Sequence, residues 1–237
     1  MAITTLDGII AAMGNSAQQL VINKASIASQ VAGGFTSLWR ATGTPAQAAI
    51  PAAAATCDRT LLGAFGFTNP SAGLSSYIAK LMMLSSNNAT DVQIHDRLAH
   101  MGGLNGTLTT AQTVGVDVSV SALDSRRGDS SYRDVQWWLE WYTATGSTAV
   151  TATVSYTNAA GVSGKTTTVS IAASLAASRM LPIIGAGGEF IKSIQSVTLS
   201  AFNRLGVSFN PFEATESMPR LIARSALENM FVSDLKQ

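Results

Sequence analysis

Residues 114–120 alternate without a break: Val114, Val116, Val118 and Val120 take every second position, with Gly115, Asp117 and Ser119 between them. Successive side chains of an extended chain point to opposite faces, so this segment puts four valines on one side and the other residues opposite. A helix, with its period of about 3.6 residues, presents no such stripe. The pattern returns at Val150, Ala152, Val154 and Tyr156, with threonines and a serine opposite. Strand signals also cover Ser76–Ser85, Val92–Leu98, Tyr132–Thr143, Thr148–Asn158, Lys165–Ile171, Arg179–Ile184, Phe190–Ser200 and Arg204–Phe209. The glycine-punctuated run from Tyr156 to Gly164 predicts a hairpin between two of them. Many short strands without long helices between them predict a mainly β chain. Residues 70–216 are expected to form a β-sandwich or jelly-roll-like domain.

The flanks differ. Residues 1–69 are expected to form a helical and extended N-terminal arm. Ile9, Ile10 and Met13 recur at helix spacing, but Gly8, Gly14 and Asn15 interrupt it, which predicts short helices instead of one rod. From Ala32 to Asn69, Gly33-Gly34, Thr42-Gly43-Thr44-Pro45 and Pro51 with its four alanines predict an irregular passage. The aromatic and aliphatic residues in it, among them Phe35, Leu38, Trp39 and Leu61, need cover from the domain or from a neighbouring subunit. Over 217–237, Ser217 as a cap, Pro219 in the first turn and the spacing of Leu221, Ile222, Ala226, Leu227 and Met230 predict a short C-terminal helix.

Charge narrows the classes of partner. Only 12% of the 237 residues are charged, about half the roughly 25% usual in soluble domains. No apolar run approaches the ~18–20 residues of a spanning helix, so a membrane is not expected as a partner. A net charge of +1 leaves no basic footprint for direct contact with nucleic acid. Weak self-repulsion instead favours association, and a homo-oligomer is expected. The single cysteine, Cys57, excludes an internal disulfide framework, and Met1–Gln18 lacks the basic and apolar regions of a signal peptide.

Local chemistry is sparse. His95 and His100 stand five apart, which puts their rings on opposite faces of a strand, and two histidines do not complete a metal site. The adjacent Asp96-Arg97 pair is expected to fix a turn or a subunit contact. No Gly-x-Ser-x-Gly elbow occurs. Cys57 next to Asp58 and Arg59 fits a buried packing thiol better than a nucleophile. Gly185-Ala-Gly187-Gly188 lacks the Lys-Ser/Thr ending of a phosphate loop and is expected to be a turn. Arg127-Gly128-Asp129 is expected to be an exposed polar loop. No catalytic residue, cofactor or metal is predicted. The most unusual run is Trp137-Trp138-Leu139-Glu140-Trp141-Tyr142. Trp137, Leu139 and Trp141 share one strand face; Trp138, Glu140 and Tyr142 share the other. Apolar bulk on both faces predicts that one is core and the other meets the arm or a subunit.

Three stretches carry a resemblance: Phe35-Thr-Ser-Leu-Trp39-Arg40-Ala-Thr-Gly-Thr-Pro45, the segment Ser155 to Lys165, and Ile194-Gln-Ser-Val-Thr-Leu-Ser200. With the alanine-rich passage between them, they resemble virion structural proteins of tailed bacteriophages over much of residues 33–200. The resemblance implies a non-enzymatic particle component present in many copies, made and assembled in the host cytoplasm and resident in the virion. A capsid decoration or cement protein is the leading expectation, with other capsid or tail subunits as partners. The chain is short for a major capsid protein and lacks that fold's long spine helix. The interface candidates are Phe35, Leu38, Trp39, Arg40, His95, Asp96, Arg97, Trp138 and Tyr142. Alternatives are a tail, collar or baseplate component, or a carbohydrate- or receptor-binding module using Trp138, Tyr142 and the 124–131 loop.

Overall fold

The computed structural model describes residues 5–15, 20–28, 31–48, 50–64, 93, 95–201 and 218–223. The chain is mainly β, with several antiparallel sheets and very little helix. Among the described residues, helix α1 (Leu6–Asn15) precedes the short strands β1 (Asn23–Lys24), β2 (Phe35–Thr36), β3 (Gly43–Thr44) and β4 (Ala55–Thr56). Longer strands follow: β5 (Asp96–His100), β6 (Gln112–Asp117), β7 (Val135–Glu140), β8 (Val150–Asn158), β9 (Lys165–Ile171), β10 (Arg179–Ile183), β11 (Ile191–Leu199) and β12 (Met218–Ala223). The predicted strands over 76–85 and 204–209 lie outside the described residues.

A four-stranded sheet runs β6-β11-β8-β9 and a six-stranded sheet runs β2-β10-β7-β12-β5-β4. In β8, Val150, Ala152, Val154 and Tyr156 are all buried, as the alternation requires. Strand β11 reaches the same result differently. Ile191, Ile194 and Val197 recur every third residue, which in a regular strand would send them to alternate faces. Register shifts between Ile191 and Ser193 and between Ile194 and Ser196 absorb the extra residues, and all three are buried. Across from this strand, Gly115 takes a φ of 63°, a conformation that favours glycine.

Side chains of both sheets meet in one hydrophobic cluster. It joins Val114, Val116, Val154, Tyr156 and Ile194 of the four-stranded sheet to Leu98, Trp137, Leu139 and Ile183 of the six-stranded one, with Trp141 just beyond β7. Trp137 fastens the two by donating its indole N–H to the Ile191 carbonyl at 2.9 Å, so the ring's one polar atom is not left unpaired.

The predicted C-terminal helix is corrected over 218–223. These residues form β12, paired with β7 on one side and β5 on the other. Helix spacing of Leu221 and Ile222 is a local preference. Pairing here satisfies backbone groups of both β5 and β7, which face each other across the gap that β12 fills. The remainder of the predicted helix, 224–237, lies outside the described residues. The six-stranded sheet therefore draws strands from the N-terminal arm, the central region and the C-terminal segment alike.

Candidate interaction surface

Strand β7 splits its aromatic run as alternation dictates. Trp137, Leu139 and Trp141 enter the shared core, while Trp138 turns to the opposite face and is only 6% exposed. What covers that face is the chain's own N-terminal segment. Phe35 lies against Trp138 with ring centroids 4.8 Å apart and planes tilted by 58°. Trp39 meets the edge of His100 at 6.0 Å and takes the Arg97 guanidinium over its ring at 3.6 Å. Arg40 sits over Tyr142 at 5.9 Å and donates to the Ala48 carbonyl.

His100 is the hub of this cover and is fully buried. Arg97 Nη1 lies 3.2 Å from His100 Nδ1. A guanidinium only donates, so Nδ1 accepts and the ring proton sits on Nε2, which faces the Tyr142 hydroxyl at 3.1 Å. Six of the nine interface candidates thus gather on one outer face: Phe35, Trp39, Arg40, Arg97, Trp138 and Tyr142. His100 belongs with them, and in the sequence nothing separates it from His95. The others lie apart. Leu38 is exposed, and His95 Nε2 lies 3.0 Å from the Gln93 side chain.

Asp96 is committed elsewhere. Arg126 donates to both of its carboxylate oxygens, at 2.8 and 2.6 Å, and also to the carbonyls of Cys57 at 2.5 Å and Arg97 at 2.9 Å. The hydrogen bonds to Asp96 hold the Arg126 guanidinium above its usual pKa. Asp96 and Arg97 therefore work separately, one in an ion pair and the other against an indole. Arg126 thereby ties residue 57 of the arm to β5. It gave no signal in the sequence, since its partner lies thirty positions away.

The Arg127-Gly128-Asp129 tripeptide lies in a largely exposed polar loop, as expected, but its arginine side chain is mostly covered. The Arg127 side chain is only 13% exposed; it pairs with Asp124, donates to the Val118 and Val120 carbonyls and lies over Tyr132. Asp129 is exposed but occupied. It accepts from the Ser131 hydroxyl and backbone N–H and pairs with Arg133 at 2.6 Å, which together hold its carboxyl at about 2. The tripeptide stabilises its own loop.

The far end of the four-stranded sheet is organised by Glu189. Its carboxylate accepts from Tyr156, from Asn158 at 2.9 Å and from Lys165 at 2.8 and 2.7 Å. These bonds, Asn158's foremost, hold the Glu189 carboxyl at about 2. The glycine run 185–188 is a turn, closed by the Gly188 N–H on the Gly185 carbonyl at 2.9 Å.

Apolar exposure is concentrated in the arm. Among the described residues, ten of the fifteen exposed large hydrophobic side chains lie within 1–69: Leu6, Ile9, Ile10, Leu20, Val21, Ile22, Val31, Phe35, Leu38 and Leu62. Leu6 is 72% exposed and Ile10 61%. Single apolar residues are normal on a surface, and a concentration of them in one segment suits contact with a neighbour. Among the described residues, no three His, Cys, Asp or Glu side chains gather as a metal site, and no helix is long and apolar enough to cross a membrane. Cys57 is a buried free thiol. No protein-family model, curated protein or solved structure matches the chain.

Proposed function

We propose that this chain is a non-enzymatic structural protein of a virus particle of the tailed-bacteriophage kind, most specifically a capsid decoration or cement protein. In this reading the two sheets pack as a sandwich and form a rigid body. The arm reaches neighbouring subunits and is buried there. The observation that carries the reading is the exposure of Leu6, Ile9, Ile10, Leu20, Val21, Ile22 and Val31 on a segment with few charges. Apolar area contributes roughly 25 cal/mol per Å² when it leaves water, so an uncovered arm of this kind favours association. Many modest contacts suffice when each subunit is held by several neighbours.

The division of the arm supports the same reading. Its downstream part, from Phe35 to Ala48, is fixed onto the chain's own six-stranded sheet. Its upstream part is tied to it at β1, which pairs with β3 and whose Lys24 Nζ donates to the Ala41 and Ala46 carbonyls at 3.1 Å, while Leu6, Ile9 and Ile10 of α1 stay exposed. That suits a tether whose root is anchored and whose helix α1 offers exposed apolar side chains to a neighbour. A glycan-stacking role for Trp138 is disfavoured because Phe35 already occupies its ring.

Antibody labelling of purified particles, imaged by electron microscopy with quantitative peptide counting, tests the proposal. The expected result is regular labelling at many copies per particle. Absence of the chain from purified particles overturns it.

A further inference from the structure

His100 is a fully buried titratable group that joins the six-stranded sheet to the segment covering it. Its Nδ1 accepts from Arg97 at 3.2 Å, and its Nε2 donates to the Tyr142 hydroxyl at 3.1 Å. The Trp39 indole meets the ring at 6.0 Å, and the Arg97 guanidinium is stacked on that indole at 3.6 Å. Arg97 thus serves the imidazole and the covering tryptophan at once. Its contact with His100 needs a neutral ring, because a protonated imidazole carries a hydrogen on each nitrogen and accepts nothing. Protonation would also set one cation against another. The surrounding elements bring more positive charge than negative. Arg40 lies over Tyr142 at 5.9 Å, and Arg220 of β12 stands opposite His100 in the strand register. Ala55 of β4, opposite on the other side, is uncharged. Of the carboxylates, Asp96 is bound by Arg126, and Glu140 belongs to β7, which β12 separates from β5.

We propose that His100 is a pH-sensitive latch on the root of the arm: protonation of its imidazole releases residues 35–48 from the six-stranded sheet. Closure requires a neutral ring, so the closed form binds one proton fewer than the open form. An imidazole in water takes up its proton at about pH 6.5. The open population is therefore constant well above that value and rises up to about tenfold per unit as pH falls below it. The path is short: once its acceptor is lost, Arg97 turns from His100 and leaves Trp39 without its stacked guanidinium. What opens is shallow. Trp138 and Met180, beneath the segment, form a small cluster apart from the shared core, so the two sheets stay packed when it lifts. The carboxylates that weaken the fold in acid act lower, Glu189 from about 4.5 downward and Asp129 from about 3.8. The latch is a property of the single chain and holds whether or not the assembly reading does.

Amide hydrogen exchange of the full chain, read by mass spectrometry at about pH 7.5 and about pH 5 and corrected for the intrinsic pH dependence of exchange, tests the latch. The Ser37 N–H on the Ser178 carbonyl and the Ala48 N–H on the Trp39 carbonyl report opening of the segment. The expected result is about 30-fold faster exchange over 35–48 at the lower pH, with β8 (Val150–Asn158) unchanged. The chain has two histidines, and separate variants distinguish them. His95→Gln should keep the full response. His100→Gln, whose amide can still accept from Arg97 and donate to Tyr142, should lose it. Corrected exchange over 35–48 that is equal at both pH values in the native chain overturns the proposal. So does a response that persists in His100→Gln, or one abolished by His95→Gln. Where His100→Gln exposes the segment at every pH, His95→Gln still decides, because a response intact there belongs to His100.

Discussion

Phe35 closes over Trp138, with ring centroids 4.8 Å apart, and so joins the root of the N-terminal arm to the outer face of the six-stranded sheet. The same strand sends Trp137 into the core, so one aromatic run serves two layers. Phe35→Ala is expected to lower stability by about 1 kcal/mol, the scale of an aromatic pair. Urea unfolding measures it, and limited proteolysis near residues 31–40 should accelerate. Unchanged protease resistance would mean that Phe35 does not hold the arm.

Arg97 depends on its shape as much as its charge. Its guanidinium stacks on Trp39 at 3.6 Å and reaches His100 at 3.2 Å. Lysine keeps the charge but lacks the planar fork, so Arg97→Lys is expected to destabilise nearly as much as Arg97→Ala. Thermal unfolding of both variants checks this. A lysine variant as stable as the native chain would refute the stacking role.

Arg126 guards Cys57 by binding its carbonyl. The thiol is buried in the native chain and should react slowly with an aromatic disulfide reagent. Arg126→Ala is expected to raise the labelling rate at least several-fold without unfolding the sheets. Equal rates in the two chains would show that other contacts keep residue 57 in place.

Acid stability has a defined sign. Glu189 has its carboxyl lowered from 4.5 to about 2 by Asn158, Lys165 and Tyr156, so its ionised form favours the folded state. That contribution is fully present above the usual carboxylate range and is lost as pH falls from about 4.5 through about 2. Asp129 acts in the same window through Ser131 and Arg133. The stability difference between the native chain and Glu189→Gln should therefore shrink as pH falls through that range. A difference independent of pH would contradict the network.

Much of the β architecture was legible because burial on one face writes a period of two into the sequence. Val150 to Tyr156 needed nothing else, and Lys165–Ile171 matches β9 at both ends. The two faces of the tryptophan strand were also legible, since alternation alone separates Trp137 from Trp138. What was hidden depends on distant pairing. Met218–Ala223 has helix-like spacing and becomes a strand because β5 and β7 stand ready to pair with it. His100 and Arg126 earn their roles from partners dozens of residues away, and no local pattern marks either. Asp96 and Arg97, adjacent in sequence, take different partners for the complementary reason: neighbours in a strand face opposite ways.

The central claim is that the arm carries the chain onto its particle. Occupancy on purified particles, measured by quantitative peptide counting for the native chain and for a chain lacking residues 1–34, tests it most directly. The account predicts many copies of the native chain per particle and near-complete loss for the truncated one, with its sheets still folded by circular dichroism. Native occupancy by the truncated chain would contradict it.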